Sequence, residues 1–211
     1  MDRTVLRLSG PDTTDFLQGL ITNDVAKLKD GLVYAAILPP QGKYLADFFL
    51  VPVPDAVLLD VAAPLAADLT KRLTMYKLRA DVKIETTDIK VQIGQGDMAP
   101  DAFVDPRNPA LGWRCYADVA EQYLDYDTIR VAHLIPESTI ELIPNDSFIL
   151  EMNFEALNGV DFKKGCYVGQ EVTARMKHKA TLRKGLARVA VTGAAEPGSE
   201  ITAGGKPVGQ V

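Results

Sequence analysis

Apolar and polar positions along the first hundred residues fall into short blocks that predict strands alternating with helices. Phe16, Leu17 and Leu20 share one face behind Ser9-Gly10-Pro11-Asp12. Proline in a first turn, with Asp12 and Asp15 at the positive dipole end, predicts a short helix that Gly19 ends. Thr22-Asn23-Asp24 offers a second cap. Gly31 to Leu38 reads as a buried strand, Pro39-Pro40-Gln41-Gly42 as a turn and Lys43 to Val51 as the returning strand, so the three form a hairpin. Ala56 to Val61 is a third strand. Pro64 then opens a helix in which Leu65, Leu69 and Leu73 repeat every four residues. Val82 and Ile84 alternate with polar neighbours, as do Ile89, Val91 and Ile93, which predicts half-buried antiparallel strands.

Beyond residue 94 the pattern loosens. Asp105 to Pro109 is irregular, and Leu111 to Ala117 is another strand. Val119 to Leu134 is helical by spacing, with His133 read as a packed residue of that helix. Pro136 and Pro144 bracket a loop. Val172, Ala174 and Met176 predict a helix beginning near Gly169. Leu182 to Thr192 reads as a strand, Gly193 to Gly205 as turns, and Lys206 to Val211 as a last strand. Strands and helices in this order predict an α+β fold.

Composition adds bounds. The chain has 211 residues, 47% apolar and 24% charged, enough to bury a core and ordinary for a globular protein. Its longest apolar runs, such as Ala56 to Ala63 broken by Asp60, fall far short of the ~20 residues a bilayer span needs. Two cysteines and no disulfide requirement predict a reducing compartment, and Met1 to Gly10 lacks the apolar core of a secretory signal. A cytoplasmic, bacterial setting is expected, with the mitochondrial matrix of a homologue as the second. The net charge of −5 weighs against direct nucleic-acid binding. It conceals seven basic residues against one acid between Lys163 and Lys184, a local charge of +6. Such a run is ordinarily a solvated face, but it could also hold an anion.

Candidate chemistry gathers in Lys163-Lys164-Gly165-Cys166-Tyr167-Val168-Gly169-Gln170-Glu171. Glycines allow a tight loop, and a cysteine beside lysines and just before a helix is favoured as thiolate, the form that ligates iron or attacks an electrophile. A small buried hydrophobe is the plain alternative, and Cys115, alternating with aromatics on a strand, suits that alternative better. One cysteine cannot hold a cluster that takes about four ligands, so an iron–sulfur ligand at Cys166 would be shared with a partner. His178 stands alone in the basic run and is expected to face solvent. No phosphate loop, dinucleotide fingerprint or nucleophile elbow occurs.

Lys164 to Glu171 resembles the K-G-C-[FY]-x-G-Q-E signature of the YgfZ family of folate-binding proteins, which includes a mitochondrial factor that matures four-iron proteins. Phe16 to Val25 resembles the family's F-L-Q-x-x-x-T-N-D motif. Gln41-Gly42-Lys43 with Asp47 resembles its hairpin, and Tyr76 to Arg79 its helix end. Leu150-Glu151-Met152-Asn153 stands at the family's spacing before the signature. The family is similar to the glycine-cleavage T-protein, an aminomethyltransferase that uses tetrahydrofolate.

That resemblance implies an α+β folate-binding fold with a ferredoxin-like insert and the start of a carboxy-terminal β-barrel. Expected bounds are 1–45 with 118–180 for the folate domain, 46–117 for the insert and 181–211 for an incomplete barrel. It implies a monomer binding tetrahydrofolate or a derivative through Glu151, Asp47, Asn23, Trp113 and Arg175. Lys164, Gly165, Tyr167, Gly169, Gln170 and Glu171 would form the signature loop, and Cys166 would be a redox thiol or a ligand to a transient cluster shared with a carrier or client protein. The implied function is an accessory role in iron–sulfur assembly or repair, and through it tRNA modification. The alternative is a folate-dependent aminomethyltransferase or demethylase. Against that alternative, Ala46 stands where the transferase has its earlier acid, which removes a carboxylate from the reacting nitrogen.

Overall fold

The computed structural model, which describes residues 2–117, 122, 124–179, 182 and 184–211, is organised on one five-stranded antiparallel sheet. Its strands are β1 (Arg3–Ser9), β2 (Val33–Ile37), β3 (Ala46–Val53), β4 (Ala56–Ala62) and β5 (Lys83–Thr86), in the order β2-β3-β4-β1-β5. Side chains alternate between two cores, as the two-residue period of a strand requires. Leu6, Leu8, Val33, Ala35, Ile37, Phe48, Leu50, Leu59 and Val61 enter one core. Val5, Tyr34, Ala36, Phe49, Val51 and Leu58 enter the other.

Helices cover the first face. Leu17 of α1 (Thr13–Gln18) and Ala66, Leu69 and Leu73 of α2 (Ala63–Tyr76) pack into that core. The four-residue leucine repeat of α2 therefore does what its spacing predicts. On the second face the cover is largely irregular chain. Ile135, Leu142, Ile149, Phe154, Leu157 and Tyr167 supply it, with α3 (Tyr126–Ala132) and α4 (Gln170–Lys179) at its ends. A small sheet, β6 (Gln92–Gly94), β7 (Phe103–Val104) and β8 (Trp113–Cys115), lies in the order β6-β8-β7, and β9 (Glu200–Ala203) with β10 (Lys206–Gln210) forms a hairpin.

Several expectations need correction. β1 was not predicted, although Val5, Leu6 and Leu8 are fully buried in it. It lies between β4 and β5 with Val5 opposite Asp60. The expected boundary between 45 and 46 falls inside the sheet, where β2 pairs with β3 from Val33–Leu50 to Ile37–Ala46. Residues from 46 onward thus share a sheet with the segment before them. Among the described residues of 182–192 no strand forms; β9 instead occupies part of the stretch read as turns. The expected helix start at Val119, and Arg183 of the basic run, lie outside the described residues. His133 ends α3 on the exposed surface instead of packing. Among the described residues no helix is long and apolar enough to cross a membrane.

Candidate functional site

The signature loop is tied down at both ends. Lys164 turns inward, only 7% exposed, and its Nζ donates to the carbonyls of Gln18 (2.7 Å) and Ile21 (2.6 Å) at the end of α1. The Gln18 carbonyl is one that the end of α1 leaves without a helical partner, and Ile21 lies three residues beyond it. Burial lowers the Lys164 ammonium to a pKa of about 8. Asp161 Oδ1 accepts from the backbone N–H groups of Lys163 (2.7 Å) and Lys164 (3.2 Å), while Asp161 Oδ2 pairs with Lys27 at 2.8 Å. At the other end Gly169, with φ +84°, approaches the 39–42 turn so closely that a Cβ would sit 2.7 Å from the Pro39 carbonyl oxygen. Gly42 returns the contact, since a Cβ there would meet the Val172 side chain at 2.6 Å. Two glycines thus let the predicted turn and α4 dock directly.

Between these anchors Cys166 is exposed. It lies four residues before Gln170, the first residue of α4, so it is not at that helix's first turn. Of the two lysines beside it, Lys164 is committed to α1. Tyr167 is buried, and the Lys164 Nζ lies 5.1 Å from its ring centroid. The basic run is therefore not one face. Lys164 points in, Arg175 pairs with Glu171 at 2.7 Å, and Lys177 pairs with Glu155 at 2.5 Å. Cys115 is fully buried in β8, as its setting predicts. His178 is exposed and packs edge-on near Phe162 with centroids 6.3 Å apart. Among the described residues no three His, Cys, Asp or Glu side chains are grouped to hold a metal.

Three of the residues carried over for folate are engaged within the fold. Asp47 is 3% exposed and accepts from Tyr44 Oη (2.6 Å), Ser138 Oγ (2.6 Å) and Tyr34 Oη (3.0 Å). Burial, then the Asp47 charge, pushes both tyrosines well above their ordinary pKa, so their hydroxyls stay protonated donors. Asn23 is likewise spent on structure. Its Nδ2 donates to the carbonyls of Tyr34 (2.8 Å) and Asn158 (2.6 Å), and its Oδ1 accepts from Asp24 N–H and Lys27 Nζ. Trp113 is buried with its indole N–H on the Asp97 carbonyl at 3.1 Å. Arg175 is on the surface. Glu151 is half-buried.

A cleft lies elsewhere, and no motif along the chain pointed to it. A cleft of about 820 Å³ is lined by Arg3, Arg107, Arg114, Tyr126 and Glu137 with apolar walls from Ile93, Leu124 and Ile140, and by neither Cys166 nor Glu151. Its arginines come from β1, the 105–109 loop and β8. Asp60, fully buried, accepts from Arg3 Nε (2.6 Å), Arg114 Nη2 (2.7 Å) and Tyr116 Oη (2.9 Å). Asp105 accepts from Arg107 Nε (3.0 Å) and Nη2 (2.8 Å). Burial alone would raise both carboxyls, but the guanidinium partners outweigh it and hold them below the usual range. The three guanidinium carbons sit 5.7, 4.8 and 4.1 Å from the Phe49 ring centroid.

No family model matches the chain. Curated proteins named as mitochondrial iron–sulfur cluster assembly factors are similar to it. The human mitochondrial iron–sulfur cluster assembly factor IBA57 is 30% identical over 99% of this chain and 71% of its own length. The mouse protein of that name is 31% identical over 90% of this chain and 65% of its own. The homologue from Mycosarcoma maydis is 33% identical over 86% of this chain and 54% of its own. The chain spans about half the length of this and other fungal relatives it matches. A solved structure, the glycine cleavage system aminomethyltransferase T from Bartonella henselae, overlaps 42% of this chain and 25% of its own at 19% identity and a TM-score of 0.40, a likeness that carries no argument.

Proposed function

The chain belongs to the IBA57 family of iron–sulfur cluster assembly factors, within the YgfZ-like group, and we propose from that premise that it is an accessory protein in iron–sulfur cluster assembly or repair. The observation that carries the reading is Cys166, exposed on a loop fixed by Lys164 behind it and Gly169 ahead of it. A thiolate there ligates iron or exchanges with another thiol. One thiolate supplies one of about four ligands, so the cluster is cargo, and a carrier or client protein contributes the others. Effects on tRNA modification would follow through such client enzymes. The relatives' names place them in mitochondria, which gives no support to the expected bacterial cytoplasmic setting.

Tetrahydrofolate or a derivative is the companion ligand of this reading, with Glu151 rather than Asp47 or Asn23 as the expected residue to meet it. Asp47 and Asn23 have their hydrogen bonds filled from within the fold. The transferase alternative loses its remaining support for the same reason, because Ala46 has no carboxylate and that of Asp47 is enclosed.

Replacing Cys166 by Ala in cells that depend on the protein should abolish four-iron enzyme activity while the purified variant keeps wild-type stability. Cells carrying it with full enzyme activity would overturn the assembly reading. Cys115→Ser serves as the contrast, since it should act through stability alone.

A further inference from the structure

The exit of α2 carries a feature that neither core explains. From Lys71 to Arg79 the sequence has four cations and no acid, a local charge of +4 on a chain of −5. Leu69, Leu73 and Tyr76 of α2 turn toward the first core. Met75 and Leu78 do not, and stand 63% and 86% exposed. Leu78 also holds φ +45°, one residue past Lys77, which caps α2. A helix that ends in this left-handed conformation ordinarily places glycine there, because a side chain is strained in it. Leucine at that place carries the backbone cost and gains nothing from packing, so the fold supplies no reason for it.

The tip is fastened at its base. Ala80 N–H donates to the Lys77 carbonyl at 2.7 Å, Lys77 Nζ to the Val82 carbonyl at 2.7 Å, and Asp81 N–H to Asp12 Oδ2 at 2.7 Å. Val82 is buried, and Gly10 lies so close that a Cβ on it would meet the Asp81 carbonyl oxygen at 2.2 Å. Leu78 is thus held out into solvent by an anchored turn. Around it Lys71 and Arg79 are exposed and Arg72 is half-buried, while Asp68 and Asp81 stand at the two ends of the stretch. An apolar tip collared by cations is complementary to a surface with phosphates outside and hydrocarbon beneath. A specific protein interface calls for a broad, fitted patch of about 800 Å² per partner. Two protruding side chains on a short turn do not supply one, whereas a bilayer needs no fitted shape.

We propose that the exit of α2 docks this protein on an anionic lipid surface, with Leu78 and Met75 entering the headgroup boundary and Lys71, Arg72 and Arg79 meeting the lipid phosphates. The contact is peripheral and reversible, since two partly inserted side chains and three cations fall far short of a spanning helix. It uses none of the residues assigned to cluster handling and stands whether or not that reading holds.

Co-sedimentation of the full chain with vesicles tests it, using phosphatidylcholine alone and phosphatidylcholine mixed with phosphatidylglycerol. Pelleting with the anionic vesicles, little with the neutral ones, and release in high salt are expected. Leu78→Gly should weaken binding to the anionic vesicles about tenfold. Glycine suits the positive φ, so that variant should keep the stability of the unaltered chain, and its loss of binding cannot be put down to unfolding. Arg79→Gln should weaken binding about fivefold. No pelleting with anionic vesicles overturns the proposal, as does equal pelleting with both kinds or binding that Leu78→Gly leaves unchanged. Binding of polyglutamate without binding of vesicles assigns the tip to an acidic protein and overturns the lipid surface.

Discussion

Asp47 and Lys164 both looked functional, and both are consumed by the fold. Asp47 gathers three hydroxyls from β2, the chain just before β3 and the 138 region, so it fastens the irregular cover to the sheet. Removing one partner of such a set strands the others without hydrogen bonds. Asp47→Ala should therefore cost about 3 kcal/mol or more in urea unfolding. A simple loss of ligand affinity with unchanged stability would show this structural assignment to be wrong. Lys164→Met should cost about 1–3 kcal/mol, because the Gln18 and Ile21 carbonyls lose their donor. Nothing in residue type distinguished these roles from catalysis. A lysine or an aspartate has the same donors and acceptors whether a ligand or the chain itself fills them.

At the scale of elements, the two glycines of the signature are unequal. Gly169 adopts φ +84° and would drive a Cβ to 2.8 Å from Leu38 Cβ and 2.7 Å from the Pro39 carbonyl oxygen. Gly169→Ala should destabilise by about 2 kcal/mol or more and loosen the seat of α4 on the 39–42 turn, readable as faster amide exchange there. A Cβ at Gly165 meets nothing within 4 Å. Gly165→Ala should leave stability within about 0.5 kcal/mol. Any loss of cluster-assembly function in that variant would then report on a partner approaching the backbone beside Cys166, and a large stability loss would contradict the open space around it. The hairpin of β2 and β3, the leucine face of α2 and the start of α4 were all legible, because each rests on a local periodicity. β1 was missed because a polar-flanked start, Arg3-Thr4, conceals a strand whose burial comes from β4 and β5 on either side.

Across the whole molecule, the buried Asp60–Arg3–Arg114 and Asp105–Arg107 pairs join the two sheets and the 105–109 loop. Both carboxyls titrate lower in the fold than their unfolded value of about 3.9. The unfolded chain then binds more protons as acid is added, so their contribution is fully present above about pH 4–5 and is lost as pH falls through the folded values. Urea unfolding should give flat stability from about pH 5 to 7 and a steep fall below about pH 4. A curve without that acid limb would contradict the pairing. Arg114→Met should cost about 3–5 kcal/mol at pH 7 by leaving Asp60 buried beside one fewer cation.

The sequence by itself determined the α+β class, the placement of Cys115 in a core and the exposed-cysteine signature, since these rest on local spacing and residue type. Family membership was legible there too, in Lys164 to Glu171. Only the tertiary structure decided that Lys164 serves α1, that Asp47 and Asn23 are enclosed, and that Arg3, Arg107 and Arg114 meet around Phe49. Arg3 stands far along the chain from Arg107 and Arg114, and the three lie on two strands and a loop. Strand pairing brings them together, and no pattern within any one segment records it.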